Sequence, residues 1–172
     1  MTVNFDNVLI IPTGDEIAAG TVTDTNSPML MGLVLERFPC ARVTRSAPVL
    51  DSIDGIAARV KESAPDYSLI VLIGGSGGGK RFDKDLCEDV THGALENTLD
   101  DFGACSIIGY NGHLWCRMVV GAIGATVIAS LPGPMAEARA AFTAFLEAAA
   151  QQLDYEAAAQ HMAAAVKATY GR

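Results

Sequence analysis

From Gly74 to Asp83 the chain reads Gly-Gly-Ser-Gly-Gly-Gly-Lys-Arg-Phe-Asp, and five of the six residues Gly74 to Gly79 carry no side chain. Such a stretch cannot be the interior of a helix or strand, because ordering glycine costs entropy and returns no packing. What it offers is close approach: a phosphate can reach backbone N–H groups, with Lys80 and Arg81 as compensating cations. Gly74, Gly75, Ser76 and Gly77 are the candidate cradle. The spacing from Gly74 to Lys80 fits G-x-x-x-x-G-K, yet Arg81 stands where a nucleotide-hydrolysing loop needs Ser or Thr on magnesium. No later apolar strand ends in a suitable Asp, so ATPase chemistry of that type is disfavoured. A glycine turn with no ligand is the plain alternative.

Carboxylates recur beside this loop in sequence. Gly14-Asp15-Glu16 follows the first apolar run, Asp51 follows Pro48-Val49-Leu50, and Asp83 and Asp85 follow the glycines. Facing a phosphate site, such groups can hold magnesium with substrate oxygens or accept hydrogen bonds from amino groups. Asp51 and Asp83 also suit a second role, capping the helices that follow them.

The elements that must position these residues are legible from periodicity. Val8 to Ile11, Ala41 to Val49 and Leu69 to Ile73 read as strands, the last buried on both faces. Cys105 to Gly109, Leu114 to Val120 and Thr126 to Ala129 supply more, with Asn111-Gly112 as a tight turn joining a hairpin. Helices are expected over Ser27 to Phe38, from Asp51 or Ser52 through Val60, over Lys84 to Asp100, from Pro134 to Leu153 and over Tyr155 to Tyr170. Short strands alternating with helices point to βαβ units around a mostly parallel sheet. Ligands of such sheets bind beyond the carboxyl ends of the strands, so the loops at Gly14, Asp51, Gly74 and Leu131-Pro132-Gly133 should converge at one edge. Trp115 reads as core or interface, and His113, just past the tight turn, as either solvated or facing a ligand.

The 172 residues, half of them hydrophobic, suit a single domain with its own core. A formal net charge of −8 disfavours nucleic acid and anionic membrane as partners. Met1 to Asn7 lack signal-peptide features and no apolar run is long enough to span a bilayer, so a cytoplasmic protein is expected. Cys40, Cys87, Cys105 and Cys116 form no C-x-x-C pair and read as buried or half-buried free thiols.

Taken in order, Thr13-Gly14-Asp15-Glu16-Ile17, Asp24-Thr25-Asn26-Ser27, Gly74-Gly75-Ser76-Gly77 with Asp83 beyond, and Leu131-Pro132-Gly133-Pro134 resemble the molybdopterin-binding (MoaB/Mog-like) domain. That family includes Mog, MoaB, the third domain of MoeA, parts of gephyrin and the N-terminal domain of CinA. The resemblance spans residues 8 to 146 and implies a three-layer α/β/α sandwich with a molybdopterin ligand or substrate over the glycine loop, with ATP and Mg2+ if adenylyl transfer is the reaction. It implies Asp51 and Asp83 (or Asp85) as the functional aspartates. It also implies contacts to the ligand from Gly14, Asp15, the glycine loop, Lys80, Arg81, Pro132 and Gly133. Ile73 replaces the family's usual hydroxyl residue before the glycines. The wording of the Gly14, Asp24 and Pro134 segments leans toward CinA, whereas the length leans toward a stand-alone Mog-like protein. Three functions follow as expectations: molybdenum cofactor biosynthesis by adenylyl transfer or molybdate insertion, a CinA-like pyrophosphatase acting on a dinucleotide such as ADP-ribose, and a non-catalytic pterin-binding module. A homo-oligomer, a trimer before a dimer, is expected, with residues 155–172 as a helical extension available for the interface.

Overall fold

The computed structural model describes residues 4–77, 89–110 and 112–170. Six strands form one sheet in the order β2-β1-β3-β6-β5-β4. The four strands β1 (Asn7–Pro12), β2 (Arg42–Arg45), β3 (Leu69–Ile73) and β6 (Thr126–Leu131) run parallel. The hairpin β4 (Asp101–Ile108) and β5 (Leu114–Ile123) adds two antiparallel strands on the β6 side. β1 and β3 carry near-continuous aliphatic runs because both their faces are covered.

The alternation of side chains across these strands divides the core in two. Val8, Ile10, Val71 and Leu131 point into the cluster beneath α2 (Asn26–Arg37), α5 (Met135–Ala150) and α6 (Tyr155–Thr169). Leu9, Ile11, Ile70 and Leu72 face α3 (Ile53–Ser63) and the short α4 (Thr91–Glu96). The result is the expected three-layer α/β/α sandwich. α6 buries Ala158, Ala159, Met162, Ala163 and Val166 in the first cluster, so one face of the C-terminal helix belongs to the core.

Three elements differ from their sequence expectation. β2 is shorter than Ala41 to Val49, because Pro48 has no N–H to continue the ladder; only an isolated bridge joins Val49 to Thr13. The described helix in the region expected over Lys84 to Asp100 is α4 alone, and by Asp100 the backbone N–H already pairs with Ala122 O (2.9 Å) in the sheet. A one-turn helix α1 (Asp15–Ala18), too short for a periodicity signal, follows β1.

Candidate functional site

The parallel strands aim four loops at one edge, and local hydrogen bonds hold the loops together. Thr13 N donates to Ile73 O (2.8 Å), Gly14 N to Val49 O (3.0 Å) and Gly74 N to Leu131 O (3.0 Å), so the loops after β1, β3 and β6 are tied side by side. Across the cleft mouth, Asn26 Nδ2 donates to Gly133 O (2.6 Å), fixing the start of α2 to the Leu-Pro-Gly turn.

The loop after β3 needs its glycines at two positions. Gly74 and Gly75 have φ of 106° and 60°, values that L side chains rarely adopt. A Cβ on Gly74 would lie 2.6 Å from Thr13 O, and one on Gly75 would collide with Thr91 Oγ1. Thr13 Oγ1 sits 3.2 Å from Thr91 Oγ1, and Thr91 N donates to Gly75 O (3.0 Å), so a buried pair of hydroxyls backs the turn. A turn of successive residues such as Gly75, Ser76 and Gly77 brings backbone N–H groups close together, an arrangement suited to an anion.

This turn lies against a cleft of about 1490 Å³. Gly74 to Gly77, Pro132 and Gly133 line it, whereas Gly14 and Asp15 are not among its lining residues. Nor is Asp51. It is 8% exposed and lies behind the glycine turn, its Oδ1 3.4 Å from where a Gly75 Cβ would stand. Asp15 Oδ1 accepts the Asp51 N–H (3.1 Å), so Asp15 joins the loops after β1 and β2 and helps seat Asp51. Capping of α3 falls to Ser52, whose hydroxyl accepts from Gly55 N (3.3 Å). The capping role open to Asp51 from sequence is therefore taken by its neighbour. Lys80, Arg81, Asp83 and Asp85 lie outside the described residues.

Several lining residues were not singled out as ligands by sequence. Asp24 lines the cleft, and its carboxylate accepts from Ser27 N (3.0 Å), Ser27 Oγ (2.6 Å) and Arg45 Nε (2.7 Å). Burial pushes Asp24 up, but the Ser27 bonds and Arg45 outweigh it and hold the carboxyl below its ordinary value. Asp89 lines the cleft beside Gly77. From the antiparallel hairpin come His113, Trp115 and Cys116, and from the helical layer Glu137 and Tyr170. Burial pushes the Cys116 thiol up to about 12, against a contact to Ser76 Oγ (3.5 Å) that favours the thiolate. Burial also raises the Glu137 carboxyl, tempered by a hydrogen bond from the Tyr170 hydroxyl. That hydroxyl is itself pushed up to about 12 by burial and by the nearby Glu137 charge. Trp115 is thus a cleft residue as well as a half-buried one, and Cys40, expected at least half-buried, is exposed. His113 takes the ligand-facing alternative that its place past the Asn111-Gly112 dipeptide offered, and the same dipeptide was the signal that could have found Trp115 and Cys116. β5 runs antiparallel to β4 and β6, so its start lies at the carboxyl edge of β3 and β6.

The family model described as "probable molybdopterin binding domain" matches residues 9–152, a span that includes most of β1, the glycine turn, the Leu-Pro-Gly turn and α5. The chain belongs to this family. Among curated relatives, a CinA-like protein of Anaeromyxobacter sp. (strain K) is 39% identical over 70 residues, covering 41% of this chain. The match takes in only 17% of that protein's length. Solved structures share the fold: CinA of Thermoplasma acidophilum superposes with a TM-score of 0.64 at 18% identity, covering 86% of this chain and 99% of the other. MoaB of Thermus thermophilus gives 0.58 at 24%, covering 81% and 86%. A tungsten cofactor synthesizing MoaB of Pyrococcus furiosus gives 0.59 at 17%, covering 99% and 94%.

The residues of this molybdopterin-binding domain fit a pterin phosphate. The glycine turn is a cradle that a Cβ would fill at Gly74 and Gly75, and it presents backbone donors beside a cleft large enough for a fused ring system. Among the described residues no group of three or more His, Cys, Asp or Glu is placed to hold a metal ion. Likewise among them, no helix is long and apolar enough to cross a membrane.

Proposed function

We propose that this domain binds molybdopterin or its adenylylated form and serves molybdenum cofactor biosynthesis, in adenylyl transfer or molybdate insertion. The observation that carries the reading is the glycine turn at Gly74 to Gly77, backed by Thr13, Thr91 and Asp51 and opening on the cleft. In this reading the N–H groups of Gly75, Ser76 and Gly77 orient the phosphate, while Lys80 and Arg81 balance its charge. Asp51 holds the turn from behind, and Asp83 is the second functional aspartate. Adenylyl transfer would draw on ATP and Mg2+, whose contribution is to neutralise the transferring phosphoryl group. A cytoplasmic homo-oligomer, a trimer before a dimer, completes the proposal; light scattering at micromolar concentration tests the assembly.

The test is anaerobic titration with molybdopterin. Saturable binding that weakens in Asp51→Asn supports the reading, and absence of binding to folded protein overturns it. The CinA-like match, at 39% identity over 70 residues, favours one second reading, a dinucleotide pyrophosphatase. Magnesium-dependent release of AMP from ADP-ribose would support it. Molybdopterin binding without turnover of ATP or dinucleotide would leave a non-catalytic pterin-binding module.

A further inference from the structure

The wall of the cleft contributed by β5, α5 and the end of α6 has a composition of its own. The Trp115 and Tyr170 rings meet edge to face with centroids 4.9 Å apart, and both line the cleft. Trp115 can lie there because Gly109 has no side chain: a Cβ at that position would run into the indole nitrogen. Tyr170 stays 43% exposed and donates its hydroxyl hydrogen bond to Glu137, in the first turn of α5. A carboxylate has about four lone-pair positions, so one bond from Tyr170 leaves acceptor capacity on Glu137. Two flat apolar rings beside a half-buried acceptor form a receptor for a flat heterocycle that presents N–H groups.

The charge of the described cleft narrows the ligand further. Its described ionisable lining includes Glu16, Asp24, Asp89 and Glu137 and contains no Lys or Arg. Asp24 is engaged by Ser27 and Arg45, and Glu137 is the lining carboxylate in contact with Tyr170 of the aromatic pair. An edge with adjacent N–H donors suits it, whereas an edge that sets a bare ring nitrogen against a carboxylate is repelled.

We infer that Trp115, Tyr170 and Glu137 form a ring-recognition subsite selective for a 2-amino-4-oxopyrimidine edge, the edge shared by pterins and guanine and absent from adenine. This deepens the proposed function and rests on it only for the identity of the natural ligand. One ring of the edge-to-face pair covers the heterocycle's face, Glu137 accepts from its ring N–H and 2-amino group, and the glycine turn takes the phosphate at the other end. Tyr170 is a positioning residue, holding the Glu137 carboxylate through its hydroxyl.

The experiment compares guanosine 5′-monophosphate with inosine 5′-monophosphate, which lacks only the 2-amino group, by calorimetric titration of the full chain. Wild type should prefer the guanine nucleotide by roughly tenfold, the size of one charge-assisted hydrogen bond. Glu137→Gln should bring the ratio to near one, and Tyr170→Phe should reduce it partway. A ratio is insensitive to a general loss of folded protein, so a merely structural role for Glu137 would not move it. Equal binding of the two nucleotides, binding of neither, or a preference retained in Glu137→Gln overturns the inference. Molybdopterin titrated in the same series separates the two readings. Its binding without the guanine preference removes only this subsite. A guanine preference that Glu137→Gln abolishes, without molybdopterin binding, keeps the subsite and removes the pterin function.

Discussion

The Arg117 backbone N–H donates to Ser76 O (2.8 Å), so the first residues of the antiparallel strand β5 are fastened directly to the glycine turn after β3. Trp115 and Cys116 immediately precede that bond, and Ser76 Oγ lies 3.5 Å from Cys116 Sγ. The glycine turn and the aromatic wall are therefore joined directly, although 40 residues separate Ser76 from Cys116.

Cys116 should be chemically silent. With its thiol pushed up to about 12, it stays protonated at pH 8, and the reactive thiolate is scarce. Iodoacetamide at that pH should alkylate the exposed Cys40 and spare the buried Cys116, read by mass spectrometry of tryptic peptides. Rapid modification of Cys116 in folded protein would contradict the burial described.

Gly75→Ala tests the turn. A φ of 60° and the collision of a Cβ with Thr91 Oγ1 both oppose the substitution. A loss of about 2 kcal/mol is expected from the left-handed backbone and overpacking together, seen as a lower urea midpoint. The phosphate-binding geometry should suffer with it. A variant as stable as wild type would show that the turn relaxes freely.

Asp24→Ala removes the side chain that receives the Ser27 N–H at the start of α2. The expected cost is about 1 kcal/mol, that of a lost helix cap, with little added by the partly exposed Arg45 pair. Because the folded carboxyl titrates below its ordinary value of 3.8, its contribution is present above that pH and fades as pH falls through the lower folded value. Urea unfolding of both proteins should therefore show a gap at pH 7 that narrows below pH 3.8.

Glu137 has the opposite sign. Its carboxyl is raised above 4.5 by burial, so its contribution is fully present below that pH and is lost as pH rises through the folded value. Glu137→Gln should melt at least as high as wild type at pH 7, and that advantage should vanish near pH 4. A lower melting temperature for the variant at pH 7 would mean that the charged carboxylate is a net stabilising partner of Tyr170.

Sequence determined this fold wherever a signal was local. Leu69 to Ile73 could only be a doubly covered strand, the run of glycines only a turn, and Pro132-Gly133-Pro134 only a break before a helix. The ordered motifs Thr13 to Ile17, Gly74 to Gly77 and Leu131 to Pro134 carried the family. The loops that follow parallel strands were legible as a site because chain direction alone puts them at one edge. Tertiary structure decided the rest. Trp115 lies at the start of its strand, and only the antiparallel placement of β5 turns that end toward the glycine loop. Tyr170 lies far from every motif and arrives because α6 packs back along α5 and the hairpin. Asp51, placed by sequence on the ligand, stands behind the turn because Asp15 and the bridge between Thr13 and Val49 seat it there. Periodicity records which face of an element is buried, but the neighbours across a sheet and the final turn of a distant helix are set by long-range packing.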